Sequence, residues 1–246
     1  MNSLLRIRLE TTPAQHAKLM ELQAAFAAVC NALAPIVQQT ACWNRVALHH
    51  LAYRPMRQQF PALGSQMVCN ALYSVSRAAR WVYQHPNSPF NLQQLAGRPL
   101  PRLHFLPQSP VYFDRHTLSL RDGVASMYTL DGRMHFNLPL APADEQRFRT
   151  ARLREIVLQL REDRFQLSFT FGVAGDDADT TAGAIGSATA TTTATTANTA
   201  LTATAAPDSE MPQHLVVLHG ATQIPAAAPA PPADKPASRP PAPLMT

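Results

Sequence analysis

With 246 residues the chain has room for one or two domains, and its 21 Lys+Arg against 16 Asp+Glu are unevenly divided. Residues 1–171 hold 19 cations and 10 acids (19 − 10 = +9), while the rest holds 2 and 6 (2 − 6 = −4), so the first part attracts polyanions by long-range steering and counterion release. Three cysteines at unrelated spacings argue against a disulfide or zinc framework, and with no secretory h-region or uninterrupted apolar run of bilayer length a cytoplasmic protein without membrane contact is expected. Only Lys18 and Lys235 are lysines; the other cations are arginines, whose planar fork suits phosphates and base edges.

Residues 4–10 read as a strand, with Leu5, Ile7 and Leu9 alternating with Arg6 and Arg8, so that one face is apolar and the other cationic. Thr12, Pro13 and Gln15 then form a helix start with a capping box. The helix is predicted to reach about Leu33 and to end at Pro35, burying Leu19, Leu22, Phe26, Val29 and Leu33. A second helix is predicted over 43–53, followed by a connection holding Pro55 and Pro61. A third should begin near Ser65 and end before Pro86. Its buried face is Val68, Leu72, Val75, Ala79 and Val82, with Gln66, Asn70, Arg77, Arg80 and Gln84 on other faces.

After Gly97 the apolar period changes from helical to alternating. Strands are predicted over 102–106, 111–113 and 117–120, then over 124–130 and 133–138 about Asp131-Gly132, a strong hairpin signal. A further hairpin is predicted from 154–160 and 165–171 around Glu162-Asp163. The order suggests an α+β fold. Residues 1–12 and 98–171 would form a small antiparallel β-barrel, its edge closed by pairing of the first and last strands, and 13–97 an inserted helical bundle. From 172 to 246 Ala, Thr and Pro dominate, a composition expected to be disordered. Within it, only residues 215–218 suggest a short strand or anchor.

The collinear series resembles the N-terminal half of TnpB-type RNA-guided nucleases of insertion sequences, relatives of type V CRISPR effectors. It runs from Leu5-Arg6-Ile7-Arg8-Leu9 and Thr12-Pro13-Ala14-Gln15 through Cys30-Asn31, Trp43-Asn44, Tyr53 and Leu63-Gly64-Ser65-Gln66 with Asn70-Ala71. It continues through Val111-Tyr112-Phe113-Asp114, Leu118-Ser119-Leu120, Ser126 to Arg133, and Arg161-Glu162-Asp163-Arg164. The resemblance implies a wedge-type barrel with a helical recognition unit that grips guide RNA and its duplex with DNA. It makes Arg6, Arg8, Arg77, Arg80 and Arg102 candidate phosphate contacts, and Tyr53 and Trp81 candidate base-stacking rings. Trp43, Trp81 and Tyr53 also suit core or interface packing.

The chain departs from the family where the catalytic strand would stand. It reads Phe171-Gly172-Val173-Ala174-Gly175-Asp176-Asp177-Ala178-Asp179, three aspartates without an apolar strand around them, and the Cys-x-x-Cys ribbon is missing. The expectation is RNA binding, with DNA as a second partner, and no cleavage, no metal and no cofactor. His49-His50 beside Cys42 do not alter it, because adjacent helical histidines point apart. A frameshifted, non-functional transposase remnant and a protein-interaction adaptor are the alternatives. The oligomeric state is left open.

Overall fold

The computed structural model describes residues 3–172 and 214–218. Helix α1 (Pro13–Thr40) starts as predicted: Gln15 N–H donates to Thr12 Oγ1 at 3.2 Å, and Thr12 N–H donates to Gln15 Oε1 at 2.9 Å. Leu19, Leu22, Phe26, Val29 and Leu33 are all fully buried. The helix does not stop at Pro35. An internal proline loses one helical hydrogen bond and costs about 3 kcal/mol. Continuing past it buries Val37 and lets Gln38 Nε2 donate to the Leu100 carbonyl at 2.7 Å, which offsets that cost. By length and composition α1 passes as a candidate membrane span, but half of its most apolar stretch is buried inside the protein, as in a core helix.

Helix α2 (Arg45–Gln59) is capped by Asn44, whose Oδ1 accepts from the N–H groups of Val46 and Ala47. It runs through Pro55, which the sequence reading had placed in a connection. Pro55 and Leu51, the residue four back, are both exposed, so water can replace the lost bond. Helix α3 (Ser65–Gln84) buries Val68, Leu72, Val75, Ala79 and Val82 as expected. Asn70, assigned to a polar face, is instead buried, with its amide directed at Thr117 Oγ1 at 3.4 Å. The short α4 (Leu92–Leu95) follows.

The strands are β1 (Ser3–Arg8), β2 (Arg102–Phe105), β3 (Val111–Phe113), β4 (Leu118–Arg121), β5 (Val124–Thr129), β6 (Gly132–Asn137), β7 (Arg152–Arg161), β8 (Arg164–Gly172) and β9 (Leu215–Leu218). Helix α5 (Pro142–Thr150) lies between β6 and β7. The strands form three antiparallel sheets, ordered β1-β8-β7-β3, β4-β5-β6 and β2-β9. None is closed into a barrel by hydrogen bonding. The first strand does pair with the last of the hairpin, but among the described residues the other edge of β1 has no partner strand. The four-stranded sheet ends on β3, only three residues long, and the β4–β6 meander pairs only within itself.

Turn chemistry accounts for the hairpins. Asp122 and Gly123 carry φ of 48° and 74° and link β4 to β5. At Asp131-Gly132 the turn sits one residue earlier than predicted: Thr129 pairs with Gly132, which opens β6 with φ of 109°. Glu162 and Asp163 make the β7–β8 turn with φ of 51° and 58°, without a glycine.

Phe165, Leu167, Phe169 and Phe171 point to one side of β8 and are buried. Phe148 of α5 meets Phe169 and Phe171 edge-on, each at 5.0 Å, and His16 of α1 meets Phe165 at 4.9 Å. One hydrophobic cluster includes residues of both the helices and the sheets.

The expectation of disorder from residue 172 onward falls mostly outside the described residues. One part of it is corrected, because Gly172 closes β8, and Leu215–Leu218 forms β9, the short strand that the sequence suggests there. Strand β9 pairs with β2, and Leu106 N–H donates to the His214 carbonyl at 3.1 Å. On the other side of β2, Phe105 N–H donates to Asn31 Oδ1 at 2.8 Å and Asn31 Nδ2 donates to the Phe105 carbonyl at 2.9 Å. The Asn31 amide thus takes the place of a neighbouring strand.

Candidate nucleic-acid interface

Directly opposed residues of an antiparallel pair share a face. On β1 and β8 the opposed pairs are Arg6 with Ser168 and Arg8 with Gln166; on β7 and β8 they are Gln159 with Gln166 and Arg161 with Arg164. Arg6, Arg8, Arg161 and Arg164 therefore lie on one face of the four-stranded sheet, opposite the phenylalanine core, and all four are exposed. Gln166 lies among them, and Gln159 stands beside Arg161, whose Nε donates to its Oε1 at 3.0 Å. Arg6 and Arg8, two positions apart on a strand, are spaced by about 7 Å, and opposed side chains by about 5 Å.

Helix α3 packs over the far half of this face. Tyr73 OH donates to Glu155 Oε1 at 3.0 Å, and its ring meets Tyr112 edge-on at 5.7 Å. Arg77 forms an ion pair with the same carboxylate. Burial pushes the Tyr112 phenol well above its usual range, so it stays neutral at physiological pH. The β1–β8 half, with Arg161 of β7, is left open and carries the cations. Glu10 and Asp163 stand at its end, and Glu162 lies 3.8 Å from Arg8; with both side chains mostly exposed such a pair contributes little.

Of the residues singled out in the sequence, Arg6 and Arg8 are the two brought together here. Arg77 reaches the border of the face, already paired. Arg80 is exposed on α3. Arg102 donates through Nε to Gln38 Oε1 at 3.0 Å on the β2 side of the protein. Tyr53 and Trp81 are half-buried on α2 and α3, their rings stacked on His49 at 4.6 Å and His85 at 5.4 Å. Trp43, half-buried, packs against Tyr83 at 5.3 Å.

Arg161 and Arg164 were missed as site residues. The signal was present: two arginines flank a two-residue turn, and their parity follows from the β1–β8 register. Among the described residues no group of three or more His, Cys, Asp and Glu could hold a metal ion. The rings of His49 and His50 are nearly perpendicular, at 89°. Cys30 is buried, and burial pushes its thiol far up, which leaves it unreactive. Asp176, Asp177 and Asp179 lie outside the described residues. No family model and no curated protein matches this chain.

Proposed function

We propose that this protein binds nucleic acid, RNA ahead of DNA, on the open β1–β8–β7 face and does not cut it. The observation that carries this reading is the register that sets Arg6, Arg8, Arg161 and Arg164 on one face with Gln166 among them. Among the described residues no aromatic ring is exposed on this face, so binding rests on phosphates and shape and not on stacked bases. The preference for RNA, and the reading of the three sheets as a wedge-type unit around an inserted helical bundle, come from the resemblance to the TnpB-type proteins.

The test is fluorescence anisotropy with a structured RNA and a duplex DNA over a salt series. With four phosphates neutralised, log affinity should fall against log salt with a slope of about −3. Replacing all four arginines by alanine should flatten that slope. Undiminished binding by the quadruple variant would refute the assignment of the face, and no binding at about 50 mM salt would refute nucleic-acid binding altogether.

A further inference from the structure

Among the described residues strand β1 is the last of its sheet, and a cleft of about 960 Å³ runs along it, lined by residues 5–11, by Pro13, His16 and Ala17 of the α1 start, and by Pro139. Leu9 N–H donates to the Phe165 carbonyl at 2.8 Å, so Leu9 belongs to a bonded pair. Because bonded and non-bonded pairs alternate, Leu5 and Ile7 also turn their backbone groups toward β8, whereas Arg6 and Arg8 turn theirs into the cleft. The cleft floor is thus an unpaired ladder edge, of the kind to which extended peptides add as a further strand.

We propose that this cleft docks an extended peptide of another protein in which acidic and apolar residues alternate, adding a fifth strand beside β1. This goes beyond the nucleic-acid reading and does not rest on it. Register sets the chemistry of the guest. Residues opposite Arg6 and Arg8 share their exposed cationic face and are best acidic. The alternate residues share the face of Leu5, Ile7 and Leu9, next to His16, whose ring rests on Phe165 of the core, and are best apolar. Glu10, Asp144 and Asp163 also line the cleft. Glu10 and Asp163 stand where β1 runs out beside the β7–β8 turn, so they bear on the end of the guest strand rather than on its middle. A second copy of this chain is a poor guest, because antiparallel pairing of two β1 edges would oppose arginines to arginines.

The experiment uses the full chain and a labelled synthetic peptide alternating valine and glutamate, with a valine–lysine peptide and a single-stranded oligouridine as the other probes. The acidic peptide should bind and should slow amide hydrogen exchange at Arg6 and Arg8. Arg8→Pro removes an edge N–H that serves no bond within the sheet, so it should fold normally and bind at least about tenfold more weakly. Arg6→Glu with Arg8→Glu should transfer the preference to the lysine peptide, and this decides the matter even where the proline variant fails to fold. Equal binding of both peptides, undiminished binding by folded Arg8→Pro, or protection of these amides by oligouridine alone would overturn the proposal.

Discussion

Helix α3 and the β1–β8–β7 face both carry arginines that look alike in the sequence, yet the fold treats them differently. On α3, Arg77 is paired with Glu155 and flanked by Tyr73 and the neutral Tyr112, so its charge is answered inside the protein. On the sheet, Arg6, Arg8, Arg161 and Arg164 project from exposed positions, and the ion pair there, Arg8 with Glu162, is itself mostly exposed. Cationic character becomes binding capacity only where folding has left it unanswered. Net charge cannot make that distinction, because it counts both groups equally.

The largest effect expected among the groups that the fold does enclose belongs to His214. Burial holds its imidazole down to about 4, against an ordinary 6.5. The unfolded chain therefore takes up the proton first as pH falls. Stability is fully present above about pH 6.5 and is lost progressively down to about pH 4, by up to about 3 kcal/mol. Urea denaturation of the native chain and of His214→Gln across this window isolates the histidine from the carboxylates. Parallel curves for the two proteins would show that His214 is not enclosed.

Next in size is Glu155→Ala, which strips Arg77 and Tyr73 of their acceptor. Side-chain exposures of 39 % for Arg77 and 17 % for Glu155 place the pair between a surface bridge and a buried one. The loss should be about 2 kcal/mol, below the 3–5 kcal/mol of a fully buried pair. A change under about 0.5 kcal/mol would erase the distinction between α3 and the sheet face.

Much of this architecture is legible from local pattern. The Thr12–Gln15 capping box, the apolar stripes of α1 and α3, and the alternation of Phe165, Leu167, Phe169 and Phe171 each need only a few neighbouring residues to be read. What could not be read is non-local. Pro35 and Pro55 mark breaks locally, but packing carries both helices through them. Helix α5 contributes no buried residue, and Phe148 is its one half-buried apolar side chain, so it has no apolar stripe to detect. Arg161 and Arg164 join Arg6 and Arg8 only through the pairing of β8 with a strand some 160 residues earlier. Closure of the barrel was inferred from strand order, which says nothing about whether outer edges meet.

A smaller effect is expected at the β7–β8 turn. Glu162 and Asp163 both hold left-handed φ values that glycine and asparagine adopt at less cost. Replacing the pair by Asn-Gly should raise stability by about 1 kcal/mol, read as a higher urea midpoint with unchanged slope. The same change removes the acid beside Arg8, so nucleic-acid affinity should rise slightly at low salt.

The smallest expected change in stability is also the most discriminating. Arg6→Ala and Arg8→Ala, at exposed positions, should each shift stability by less than about 0.5 kcal/mol. Each should nevertheless reduce the salt slope of RNA binding by about 0.7–0.9, the contribution of one phosphate contact. Arg77→Ala should do the reverse, lowering stability while leaving that slope unchanged, because its guanidinium already faces Glu155. If Arg77→Ala flattened the slope as much as Arg8→Ala, the ion pair with Glu155 would have to open for RNA, and α3 would belong to the interface instead of bordering it.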